Sequence, residues 1–243
     1  MCQQRSRKAR QLGAIFFVVS LTAAMSVSAG FKDSFKKASK SAESAMKQAA
    51  ETVKPNPHNT ISMDDALDQQ ADIGRSVTNA LMYLSEAQFL MAQAVGLKEE
   101  AVIAQQNAED LAAGEITGEG DLDQRLSSSS ELTAAISAKM NSGIQLDADG
   151  KEQFRASLPP YTMGTTTMIF SAKMAAASAS SIMSSGDPAV IRRLAELKYL
   201  IVFGKAAPDL VKTFRGANQT IRAFANANDI DTSELDAETD GWD

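Results

Sequence analysis

Residues 62–94 read SMDDALDQQADIGRSVTNALMYLSEAQFLMAQA. Within them Met63, Ala66, Gln70, Ile73, Val77, Ala80, Leu84, Ala87, Met91 and Ala94 follow one another at intervals of three and four. A backbone of 3.6 residues per turn stacks these side chains into one stripe, whereas a strand would scatter them over both faces. The stretch is therefore a helix, about 50 Å long if it runs from Met63 to Val95 at 1.5 Å per residue. Ser62 with Asp65 three residues on resembles a capping box, and Asp64 and Asp65 suit the positive end of the helix dipole. Gly96 is the point where a kink is expected. Leu97, Ala101, Ala104, Ala108 and Leu111 then resume the spacing, and Gly114 closes it.

The same periodicity recurs downstream. After the polar, glycine-bearing loop Glu115 to Gly120, the positions Leu122, Leu126, Ser129, Leu132, Ile136 and Met140 trace a further helix, which Asn141-Ser142-Gly143 ends. Asp147 or Asp149 is suited to cap a short helix through Phe154 and Leu158, which Pro159-Pro160 should interrupt. From Tyr161 to Gly186 there is one charge, Lys173, and such a segment is expected to be buried on most sides. Asp187-Pro188 is a helix start signal, with Val190, Leu194, Leu197 and Ile201 facing inward. After Gly204 and Pro208 a last helix should carry Leu210, Val211, Phe214, Ala217, Ile221 and Phe224. Residues 229–243 hold seven acids and no base and are expected to form a disordered, solvated tail. These elements predict an all-α fold, an antiparallel bundle of long helices with a kinked central helix, spanning 61–228. No repeat of about 34 or 40 residues supports a solenoid.

Upstream, the first ten residues carry Arg5, Arg7, Lys8 and Arg10 and no acid. An apolar run, Leu12 to Met25, follows, and Val27-Ser28-Ala29 supplies small residues at the end. This is the pattern of a bacterial signal peptide spanning 1–29, cut before Gly30. Such a protein is exported to the periplasm or the outside. Ser20, Thr22, Ser26 and Ser28 dilute the run, which argues against a retained membrane anchor. Residues 30–60 are expected to form an N-terminal helix and a Pro-rich linker. Phe31, Phe35, Ala38, Ala42, Ala45, Ala49 and Val53 make the apolar stripe, and Lys32, Lys36, Lys37, Lys40 and Lys47 lie off it. This basic amphipathic segment, 31–54, is a candidate for peripheral contact with an anionic membrane surface. Pro55-Asn56-Pro57-His58-Asn59 ends it.

Charge and cysteine content exclude several functions. Removing 1–29 takes away four basic groups, so 24 Lys and Arg become 20 against 30 acids, a formal charge of −10. Such a chain has no general attraction for nucleic acid. Its one cysteine, Cys2, lies in the leader. The mature chain thus has no disulfide, thiolate nucleophile or cysteine metal ligand, and core packing must hold the fold.

The remaining chemistry-bearing residues lack their partners. His58, the one histidine, sits in the linker without a local acid or ligand set, and no Gly-x-Ser-x-Gly elbow exists for a Ser-His-Asp centre. Asp147-Ala148-Asp149-Gly150 suggests calcium, but if Gly150 is the turn glycine of an EF-hand loop, Gln145 and Ala156 fall on ligand positions, which neither side chain fills. Helix capping explains these acids better. Met163, Met168, Met174 and Met183 are spaced by five, six and nine, so their sulfurs do not share a face as a Cu(I) site would need. Di-iron chemistry would want Glu-x-x-His on facing helices, and phosphate-cradling glycine motifs are absent. No cofactor is expected.

These features predict a non-enzymatic, exported helical-bundle protein that binds a protein partner or a small apolar ligand in the cell envelope. The candidate contact residues are Tyr161, Met168, Phe170, Met174 and Met183, in the segment with least charge. A different reading makes 161–186 an insertable helix of a membrane-active, pore-forming-like bundle. The ten serines and threonines of that segment argue against exposure to lipid.

Overall fold

The computed structural model describes residues 62–114, 119–184 and 194–239, and every regular element among them is helical. Helix α1 spans Met63–Ala94, α2 Lys98–Ala112, α3 Glu119–Asn141, α4 Ala148–Ser184, α5 Lys198–Ala227 and α6 Ser233–Thr239. A single 3₁₀ turn, Leu194–Leu197, leads into α5. The leader 1–29, segment 30–60, His58 and the Asp187-Pro188 start signal lie outside the described residues.

The caps follow from local chemistry. Ser62 Oγ accepts the Asp65 N–H at 3.1 Å and donates to Asp65 Oδ2 at 2.7 Å, so the serine expected to start α1 does so. At the other end Gly96 adopts φ +77, its N–H donates to the Gln93 carbonyl, and the Leu97 N–H donates to the Ala92 carbonyl at 2.8 Å. This is a Schellman closure. A left-handed residue cannot continue a right-handed helix, so the kink expected at Gly96 is a complete stop. Helix α2 then folds back along α1. Ahead of α4, Asp147 Oδ1 accepts the Gly150 N–H at 2.8 Å, and this acid acts as a cap.

Three sequence expectations are corrected. Pro159 and Pro160 do not interrupt α4, which runs 37 residues through them. A proline removes the bond to the carbonyl four residues back. Here those carbonyls belong to Arg155 and Ala156, both exposed, where water can replace the lost donors. Likewise α5 continues through Gly204 and Pro208 as one helix, with the Pro208 ring on its exposed side. The acidic tail docks through Thr239. Ile230 and Leu235 are buried, α6 packs on α4, and Arg222 Nε pairs with Asp236 Oδ1 at 2.6 Å. Two apolar side chains among seven acids are enough to anchor it.

Cross-helix pairs fix the directions. Gly150 lies against Ala94, Gly164 against Leu84 and Ala80, while Ser171 Oγ donates to Ser76 Oγ and Ser178 Oγ donates to Gln69 Oε1, each at 2.8 Å. Helices α1 and α4 are thus antiparallel over most of their length. Their buried residues repeat every seven: Ile73, Val77, Ala80, Leu84, Ala87 and Met91 on one, Tyr161, Thr165, Met168, Ala172, Ala175, Ala179 and Ile182 on the other. A 3.5-residue period keeps two helices in register with a left-handed supercoil, and the small residues let the backbones approach closely. A Cβ added at Gly164 would stand 2.8 Å from Leu84 Cγ and 2.9 Å from Leu84 N, which measures how close that approach is.

Helix α5 runs antiparallel along another side of α4. Gly204 sits against the backbone of Ala175 and Ala176, and the rings of Phe154 and Phe224 meet edge to face at 5.2 Å. Asn228 ties the ends together, its Oδ1 accepting the Leu146 N–H at 2.9 Å and its Nδ2 donating to the Phe224 carbonyl. The described residues form an up-down-up-down-up bundle around α4.

Candidate binding site

The five contact residues expected from the sequence all fall on α4 and do not converge. Tyr161 (3 % exposed) and Met168 (0 %) lie on the seam facing α1. Phe170 and Met174 are half-buried one turn apart, off that seam, and Met174 packs against the edge of the core. The Met183 side chain lies outside the described residues. Met168 belongs to one continuous cluster with Ile169, Ala172 and Ala175, so the surroundings of this thioether are packed side chains.

One small cavity touches the predicted set, at Tyr161. Leu84, Gln88 and Met91 of α1, Thr133, Ile136, Ser137 and Met140 of α3, Tyr161 of α4 and Ile221 of α5 line it. Its volume, about 10 Å³, holds no more than a single water. Small-molecule sites in proteins run to roughly 300 Å³ and above. Burial holds the Tyr161 phenol well above its ordinary range, against a smaller opposing pull from Arg222, so the hydroxyl stays protonated.

Around this cavity the helices are joined by polar side chains. Gln88, buried on α1, donates from Nε2 to the Ser129 carbonyl at 2.7 Å and to the hydroxyls of Ser129 and Thr133 at 2.9 Å, all on α3. Asn107 of α2 donates to Ser128 Oγ. Arg125 of α3 reaches Asp110 at 2.8 Å and Asp121 at 3.6 Å. The Arg125 hydrogen bond, with one from Gln106, holds the Asp110 carboxyl below its usual range. At the far end of α1, Gln70 donates to the Glu196 carbonyl at 2.9 Å and accepts the Leu200 N–H at 3.2 Å. Leu197, at the N-cap of α5, offers no side-chain bond, so a residue from another helix satisfies an orphan donor of the first turn.

Sequence reasoning assigns Gln70 to the apolar stripe and passes over Gln88. The available signal is a glutamine at or beside a core position of a long stripe. A buried amide there must be hydrogen-bonded, so it marks a junction with another element.

Glu86 is the most perturbed carboxyl among those described. Burial raises its pKa from 4.5 to about 7, and the adjacent Tyr83 phenol is raised first by its own burial and then by the Glu86 charge. Among the described residues no group of three His, Cys, Asp or Glu side chains is placed to hold a metal ion. Also among them, no helix is long and apolar enough to cross a membrane. Two large apolar side chains stand in solvent on α2, Val102 at 67 % and Ile103 at 48 % exposure, beside Glu99 and Glu100. No protein-family model, curated protein or solved structure matches the chain.

Proposed function

We propose that this chain is an exported, non-enzymatic bundle of the bacterial cell envelope that works by binding a protein partner. The observation that carries the choice between partner and apolar ligand is the packing around Met168. A carrier needs an enclosed volume to desolvate its cargo, and the cavity that touches the candidate residues, beside Tyr161, has room for one water. The exposed Val102-Ile103 pair supports a surface role, since large apolar side chains left in water together are recruited to interfaces. The leader-like segment 1–29 supports export.

The experiment is affinity capture of the tagged native protein from envelope extracts, followed by mass spectrometry of both proteins and organic-extractable small molecules. A stoichiometric protein that is lost on Val102→Glu or Ile103→Glu supports the reading. A co-purifying lipid or other apolar molecule at one per chain would overturn it in favour of a carrier. The membrane-active reading of 161–186 predicts dye leakage from anionic liposomes, abolished by Ala176→Glu in a variant that remains folded. The ten Ser and Thr residues and the packed seam of α4 favour partner binding over insertion.

A further inference from the structure

We propose that the cavity between α1, α3, α4 and α5 is a binding site for one structural water, held by the Tyr161 hydroxyl and the Gln88 side-chain carbonyl. Two independent observations point to it. The first is the volume, about 10 Å³, which meets the lower limit for a cavity that holds one water. The second is a pair of buried polar atoms on two of the residues that line that same cavity. Tyr161 Oη and Gln88 Oε1 are both fully shielded and neither makes a hydrogen bond to the protein.

An orphan of this kind costs roughly 1–3 kcal/mol, and the two are chemically complementary to water. The phenol O–H donates to the water oxygen, and the water donates one proton to Gln88 Oε1. Ser137 and Thr133 also line the cavity, and their hydroxyls supply further polar groups, so the two to four partners that a buried water needs are present. Gln88 cannot turn its amide to solve the problem alone. Its Nε2 is committed to Ser129 and Thr133, which fixes Oε1 in the cavity.

The rest of the lining, Leu84, Met91, Ile136, Met140 and Ile221, is apolar. The water thus belongs to the junction of α3 with the α1–α4 pair, and it completes the polar set that Gln88 begins.

A crystal structure of the chain at about 1.5 Å tests this. Density for one ordered water within about 3.2 Å of both oxygens is expected. Empty density, or a direct Tyr161–Gln88 hydrogen bond, overturns the proposal. The Tyr161→Phe variant keeps the ring and removes the donor, and its water peak should be lost or fall well below half occupancy. An unchanged peak at full occupancy would overturn the assignment of the phenol as a partner. For a solution test on the unmutated chain, water-to-ring cross-relaxation at Tyr161 is expected from a long-lived internal water. Its absence counts against the site even if Tyr161→Phe fails to fold.

Discussion

Helix α1 meets α4 and α3 in opposite ways. The α1–α4 seam is closed by alanine, glycine and two thioethers at close range, with hydroxyls that mostly bond within their own helix, as Thr165 does to the Tyr161 carbonyl and Thr162 to that of Leu158. Helix α3 buries fewer apolar side chains, with Leu132, Ile136 and Met140 on its described core face, and relies on Gln88, Asn107 and Arg125 to hold it. Close packing resists any added atom. Polar joints resist any lost partner. The two regions should therefore fail to different substitutions, and α3 should be the part that opens first.

The largest effect is expected at Gly164. A leucine there has no space against Leu84 and Ala80, and the loss should lie at or beyond the top of the ~1–3 kcal/mol range for overpacked cores, read as a lowered urea midpoint. Gly216→Ala on α5, where an added Cβ meets nothing, is the control. It should leave the midpoint unchanged or raise it.

Met168→Ala probes the same seam from the opposite direction. Removing a fully buried side chain from a packed core should cost about 3 kcal/mol, and a loss under ~1 kcal/mol would mean the seam can collapse. Gln88→Leu should cost about 2 kcal/mol, because it strands the bonds that Ser129 and Thr133 now receive. Its distinguishing mark is amide exchange that quickens in α3 more than in α1 or α4. Uniform acceleration would erase the contrast between the regions.

Gly96→Ala places a Cβ on a residue at φ +77 and should cost about 1 kcal/mol, through the turn rather than either seam. At Glu86 the effect is a pH slope rather than a fixed loss. Its folded pKa, about 7, lies above the ordinary 4.5, so between those values the folded state holds the proton more tightly than the unfolded chain. Stability should therefore decline as pH rises through that window and level off above it. Glu86→Gln should flatten this slope in thermal midpoints measured from pH 4 to 8.

The all-α architecture was legible because Ala66 to Met91 keeps an unbroken period over many turns, and a strand cannot imitate that. The stops were legible where a capping side chain or glycine stands at the boundary, as at Ser62, Gly114 and Gly143. Pro159-Pro160 misleads because the cost of an interior proline depends on whether the freed carbonyls face water, and that depends on packing. Ile230 and Leu235 are easily lost among acids for a similar reason, since only tertiary contact rewards two isolated apolar residues. The contact face of α4 stays hidden when its methionines alone are counted. It emerges once Thr165, Ala172, Ala175 and Ala179 are admitted to the core, because small side chains at a seven-residue repeat carry close approach rather than bulk.

The solid surroundings of Met168 also divide the protein's thioethers by their access to oxidants. Met91, Met140 and Met168 are sealed inside, whereas Met63, Met82, Met163 and Met174 are partly open. Peroxide should therefore convert the second group to sulfoxides first, leaving the centre of the bundle chemically untouched while its rim becomes more polar.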